Sequence, residues 1–241
     1  MPANKRSHQD LREACLNEAL KIIDAKGVEA LSMREVARNL GVSHQAPYKH
    51  FESRDHILAE VVARAYDEFG NHLRRRSRSP DVDDEMMEMG LAYFDFALTH
   101  PLQYRLMFST PLPNPTDHPA MMAKAGEAYD LLKESLSKTN NIQSSSEPGK
   151  LIELDAMFVW TVIHGLSSVL QSDAVETMQM DDETLKHAIP HILMRIGNAL
   201  SSGPPDQAEI TRKLEAQARA LSTPPGLDVE NPKPSRGPRN G

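Results

Sequence analysis

Cysteine is almost missing: Cys15 is alone in 241 residues. That excludes an internal disulfide framework and a multi-cysteine metal site, and it fits a reducing compartment. No run of eighteen apolar residues occurs, so no transmembrane segment and no membrane partner are expected. The opening MPANKRSHQDLREA is basic but lacks an apolar stretch, so no secretory signal is expected and a cytoplasmic protein is the simplest reading. Strand-type alternation is absent as well. Positive charge is in short supply, with a net charge of −7, which taken alone argues against a nucleic-acid partner. Its distribution reverses that. Residues 1–78 carry 14 Lys+Arg against 11 Asp+Glu, and the remainder carries 13 against 23. A mildly basic head on an acidic body suits a protein whose first part meets phosphates.

What is present is helical periodicity. Leu11, Ala14, Cys15, Ala19, Ile22 and Ile23 recur at helical spacing, and Gly27 suits the end of that helix. Ser32 with Glu35 three residues on reads as a capping box for a second helix, Met33 to Leu40, which stops at Gly41. Ser43 is expected to cap a third helix through about Phe51. A longer fourth helix follows ESRD, with Ile57, Leu58, Val61, Val62, Ala65, Tyr66 and Phe69 as its apolar positions. Composition breaks near Pro80, between RRRSRSP and DVDDE. Beyond it, helices are expected at about 84–99, 101–109, 117–138, 150–173 and 182–202, punctuated by Pro- and Gly-rich stretches. A short polar helix at 206–221 and, from Thr223, a disordered Pro- and Gly-rich tail complete the chain.

Helix, glycine turn, helix is the geometry of a helix-turn-helix. Within GVSHQAPYKHF, Tyr48 and Phe51 are three apart and are expected to face inward, displaying Ser43, His44, Gln45, Lys49 and His50 outside. Gln45 can read adenine in the major groove, while Lys49 and His50 suit phosphates or guanine. Arg74, Arg75, Arg76 and Arg78 are on the order of 30 Å along the helix from Arg54, and are expected to serve the helix end and the acidic DVDDE segment instead.

The run SMREVARNLGVSHQAPYKHF, Ser32 to Phe51, resembles the DNA-binding motif of the TetR family of bacterial transcriptional regulators. GVEALS before it and ESRDHILAEVV after it extend the resemblance to roughly residues 8–70. Pro47 departs from the usual aliphatic residue and is expected to shorten the recognition helix slightly. The resemblance implies an all-α protein: a three-helix head at 8–56 with its motif at 32–51, a linking helix at 57–78, a ligand-binding and dimerisation bundle at 79–203, and a short helix with a disordered tail at 204–241. It further implies that Ser32, Arg34 and Arg54 lie over the DNA backbone and that Tyr48 reaches a phosphate through its hydroxyl. With Ala46, the expected interface is Ser32, Arg34, Ser43, His44, Gln45, Ala46, Tyr48, Lys49, His50 and Arg54.

In the acidic half, MMEMGLAYFDFALTHPLQYRLMFS concentrates methionines and aromatics, which suit a tolerant pocket or a plain core. Trp160, His164 and Gly165 in FVWTVIHGLSSVL, together with AYFDFALTHPLQYRLMF, resemble the Trp–His–Gly type of TetR-family C-terminal domain. From this, Tyr93, Phe94, Tyr104, Met107, Phe108, Met157, Trp160 and His164 are the expected ligand-binding residues. His187 and His191 stand four apart without a third ligand nearby, so no metal is expected. The expectation is a dimeric regulator, a repressor, that binds a pseudo-palindromic duplex operator and is released by a small apolar effector. The family's last two long helices would pair between subunits. The competing readings are a helical-bundle enzyme using the Trp160/His164 region, or an interaction protein that has lost DNA affinity. No nucleophile elbow, phosphate loop or metal-spaced cluster favours the enzyme, and no cofactor is expected.

Overall fold

The head is organised by where its first two helices stop. In the computed structural model, which describes residues 8–76, 81–108, 111–203 and 208–222, helix α1 (His8–Lys26) is followed by a 3-10 turn, Val28–Ala30, and helix α2 (Met33–Leu40). Ser32 caps α2 by accepting the Glu35 N–H at 3.2 Å. Only that half of the expected capping box forms, because the Glu35 carboxylate pairs with Lys26 at 2.6 Å and Arg38 at 3.2 Å. Gly41 ends α2 at φ 67°, ψ 31°, a left-handed conformation that disfavours any side chain with a Cβ. The Val42 N–H reaches Ala37 O at 3.0 Å and the Gly41 N–H reaches Arg38 O at 3.1 Å, the two bonds of a Schellman motif.

The expected third α-helix is not formed as such. Residues 44–46 make a turn and Pro47–Lys49 a single 3-10 turn. Ser43 does not cap it with its side chain; its carbonyl accepts the Ala46 N–H at 2.9 Å. Pro47 has no N–H to continue an α-type ladder from Ser43, so the segment winds more tightly. Its shortening goes further than the sequence suggested. The inward anchors also differ: Phe51 is fully buried and Pro47 is buried, whereas Tyr48 is 49% exposed. The Phe51 N–H bonds Pro47 O at 3.0 Å, which puts these two, and not Tyr48, on the inner face.

Helix α3 (Arg54–Arg74) is the spine. Ser53 caps it through the His56 N–H at 3.1 Å. Its N-terminal half buries Ile57, Leu58, Val61 and Val62 against the head, and its C-terminal half buries Tyr66, Phe69 and Leu73 in the body. One contiguous apolar core therefore runs from Cys15 to Ile196. The remaining helices of the unit that ends at Gly203 are α4 (Val82–Thr99), α5 (Pro101–Phe108), α6 (Pro119–Leu136) after a 3-10 turn at Pro115–Asp117, the short α7 (Asn140–Gln143), α8 (Pro148–Leu170), the short α9 (Ala174–Thr177) and α10 (Asp182–Ser201). A separate unit, 204–241, contains α11 (Ala208–Ser222). No strand occurs among the described residues, and the fold is all-α. The tail expected from Thr223 to be disordered lies outside the described residues.

Two close approaches fix the body. At Gly90 on α4, an added Cβ would collide with Leu193 Cδ2 on α10, so any larger residue there requires the Leu193 side chain to move. At the end of α3, Arg76 is nearly sealed from solvent and binds Glu85 at 3.0 Å, Ser135 Oγ at 3.1 Å and Leu73 O at 2.7 Å. Arg76 thus joins the helix end to the acidic segment, while Arg74 and Arg75 bond Asn71 one turn back on α3; Arg78 lies outside the described residues. Among the described residues α8 is the one helix long and apolar enough by composition to cross a membrane, with mean hydropathy 1.2. Its inner face, Leu151, Ala156, Val159 and Ile163, is buried in the bundle.

Candidate nucleic-acid interface and ligand cavity

On the head, Arg34 from the first turn of α2 meets His44, Gln45 and Tyr48 around one shallow depression. All four are exposed, and Ser43 and Lys49 are exposed beside them. The tight turn at Pro47 carries the Tyr48 ring outward, so a residue expected to face inward and still reach a phosphate through its hydroxyl lies exposed on this surface. Ala46 and His50 are half-buried at its edge. Ser32 is engaged as the cap of α2. Arg54 is also engaged: its Nε donates to Leu31 O at 3.0 Å and its Nη2 to Val28 O at 2.8 Å, with Nη1 on Asp55 at 3.1 Å. This guanidinium ties the start of α3 to the turn before α2. A polar, hydrogen-bonding ridge of this kind can lie against base edges and phosphates.

The body contains a cavity of about 360 Å³ bounded by α3, α4, α6 and α8, with Phe108 of α5. Of the expected ligand residues, Tyr93, Phe108, Met157 and Trp160 line it. Phe94 and Met107 do not; each is 2% exposed within the core. Tyr104 and His164 stand behind the wall and form a polar network with Tyr93. The Tyr104 hydroxyl lies 2.6 Å from His164 Nδ1, and the Tyr93 hydroxyl lies 3.3 Å from both. His164 Nε2 approaches Ser168 Oγ at 3.5 Å. This pattern fits a neutral imidazole with its proton on Nε2 and Tyr104 donating to Nδ1. Burial pushes the His164 pKa down and the Tyr93 and Tyr104 phenols up, so all three stay uncharged near neutrality. The imidazole stacks on Tyr104 at 5.6 Å and has the tilted Trp160 ring at 5.8 Å.

Several lining residues escaped the sequence reading. Tyr66, Phe69 and Leu73 enter from α3, and Tyr129 and Leu132 from α6 beside the small Ala125, Gly126 and Ala128. The spacing of Tyr66 and Phe69 along one helix face signalled burial but could not say against what. The small residues of α6 leave space, and space is not visible in a sequence. His187, considered for a metal, has its Nδ1 on Glu183 O at 2.8 Å, and the described residues include no group of three His, Cys, Asp or Glu side chains able to hold a metal ion.

Comparison with known proteins agrees with this geometry. A profile described as bacterial regulatory proteins of the tetR family matches residues 16–61, and one described as a tetracyclin repressor-like C-terminal domain matches residues 86–192. The HTH-type transcriptional regulator Rv1816 of Mycobacterium tuberculosis is 30% identical over 119 residues, which is 46% of this chain and 51% of that protein. The HTH-type transcriptional regulator SAR2658 of Staphylococcus aureus is 27% identical over 97 residues, 40% of this chain and 52% of that protein. The chain thus spans about half the length of these curated relatives. Among solved structures, SCO4313, assigned as a regulatory protein, superposes with a TM-score of 0.64 at 22% identity, over 81% of this chain and 98% of that one. PfmR of Thermus thermophilus, a TetR-family transcriptional regulator, gives 0.52 at 19% identity, over 79% and 98%. These last two likenesses concern the fold. With both its head and its body matched, the chain belongs to the TetR family of transcriptional regulators, with a helix-turn-helix DNA-binding domain at its N-terminal end.

Proposed function

We propose that the protein binds a pseudo-palindromic operator as a homodimer, represses from it, and lets go when a small, largely apolar molecule fills the body cavity. The observation that carries this reading is the double duty of α3. Tyr66, Phe69 and Leu73 line the cavity, while Ile57, Leu58 and Val61 of the same rigid helix sit in the head core. An occupant that favours a different tilt of α3 must move the head with it. It must also bind that state more tightly, since equal affinity for both would shift nothing.

The head would read duplex DNA through Arg34, Ser43, His44, Gln45, Tyr48 and Lys49. Arg54 and Ser32 are left out of that set because their polar groups already serve the fold. Dimerisation would use α8 and α10. Leu154, Phe158 and Met194 are exposed there, Phe158, Val162, Ile192 and Ile196 flank a groove, and a Cβ at Gly165 would meet nothing within this chain. A second copy of that apolar face covers it without invoking a membrane.

The test is a gel shift of the purified chain on the duplex upstream of its own coding sequence, at low and moderate salt, with a library of small apolar molecules added. Retarded DNA that a library member releases supports the reading. Failure to retard any duplex at low ionic strength would sink it.

A further inference from the structure

Among the described residues that line the cavity, only Tyr66, Tyr93, Tyr129 and Trp160 carry a hydroxyl or N–H on the side chain, the Tyr66 hydroxyl is spent on Met107 O at 3.0 Å, and no side chain is charged. Tyr93 belongs to both the wall and the polar network behind it, so its hydroxyl is the point where that network meets an occupant. His164 Nδ1 has one lone pair, and Tyr104 at 2.6 Å takes it. The Tyr93 hydroxyl, 3.3 Å from each neighbour, is beyond the usual length of a hydroxyl hydrogen bond. Its proton is therefore the weakly held one in the network. That proton is what Tyr93 can offer an occupant.

We propose that the cavity selects an uncharged, largely apolar molecule bearing one carbonyl-type acceptor, which takes the Tyr93 hydroxyl proton. This rests on the reading that the cavity receives the effector. Turning toward a ligand costs Tyr93 only its two long contacts and leaves the short Tyr104–His164 bond intact. A hydrocarbon of the same shape fills the space but leaves that donor unanswered. A carboxylate loses its hydration with no cation on the wall to replace it. His164 does not supply one, since burial disfavours its charged form and its Nδ1 is occupied.

Equilibrium dialysis of the full chain against biphenyl, 4-acetylbiphenyl and biphenyl-4-carboxylate tests this. The ketone is expected to bind about tenfold more tightly than the hydrocarbon, the scale of one well-made hydrogen bond, and the carboxylate most weakly. Tyr93→Phe is expected to erase the ketone's advantage over biphenyl. A carboxylate that binds as well as the ketone, or a ketone preference that survives in Tyr93→Phe, overturns the proposal while leaving the cavity as a binding site. Binding of none of the three probes, or binding unchanged by the cavity-blocking Gly126→Trp, overturns the cavity reading and the proposal together. Should thermal melting show Tyr93→Phe to be unfolded, the ranking of the three probes on the native chain decides alone.

Discussion

At the scale of single residues, Arg54 shows how a charge can be claimed by the fold. In sequence it looks like a phosphate contact at a helix start; in space its Nε and Nη2 hold the carbonyls of Leu31 and Val28. Arg54→Ala should therefore lower stability by about 1.5–3 kcal/mol, the scale of hydrogen bonds to a charged donor, in urea denaturation. Lys49→Ala should instead leave the urea midpoint unchanged and reduce the salt slope of DNA binding by about one. Equal effects of the two substitutions on DNA binding at matched stability would undo this distinction. His164 makes a pH-dependent contribution of defined sign. Its folded pKa lies below the ordinary value of 6.5, so between those two values the unfolded chain binds the extra proton. Stability from this group is complete above that window and is lost as pH falls through it. Urea midpoints for the native chain and His164→Gln at pH 7.5 and 5.5 should show a smaller acid loss in the variant.

At the scale of elements, proline and glycine decide what patterning alone left open. The pattern of apolar residues after Gly41 asked for an α-helix, and Pro47 withholds the N–H that would continue one. Pro47→Ala is expected to convert 44–50 to continuous α-helix, visible as helical backbone chemical shifts across those residues. Unchanged shifts would show that packing around Phe51, and not the missing N–H, sets the turn. The contact of α4 with α10 has a sharper signature. Gly90→Ala gains up to about 1 kcal/mol of helix propensity but drives a methyl into Leu193, an overpacking cost of about 1–3 kcal/mol. Destabilisation is expected in the native background. In a Leu193→Ala background, where the obstructing Cδ2 is gone, the same change should turn stabilising in thermal denaturation.

At the scale of the whole molecule, a continuous core reaches from Cys15 to Ile196, with α3 passing through it. The same helix therefore borders the cavity and packs in the core under the exposed ridge of the head. Assembly is the matching issue on the outside. Phe158 is 40% exposed beside the α8–α10 groove. Phe158→Asp should give a monomer in sedimentation velocity and weaken operator binding, with the circular dichroism of the helices retained. A variant that stays dimeric would move the interface elsewhere.

Most helix positions, the Gly41 turn, the polar ridge of the head and the Trp160–His164 pair were written in local spacing, because a period of 3.6 residues and a glycine stop depend only on neighbours in the chain. Tertiary structure alone decided that Tyr48 points out while Pro47 and Phe51 point in. It alone decided that Arg54 is spent on carbonyls twenty-odd residues away, that Phe94 and Met107 pack in the core beyond the cavity, and that Tyr66 and Tyr129 share its lining. A cavity is the volume that several helices fail to fill together, and a hydrogen-bond partner is whichever group the fold brings within about 3 Å. Neither is a property of any one stretch of sequence.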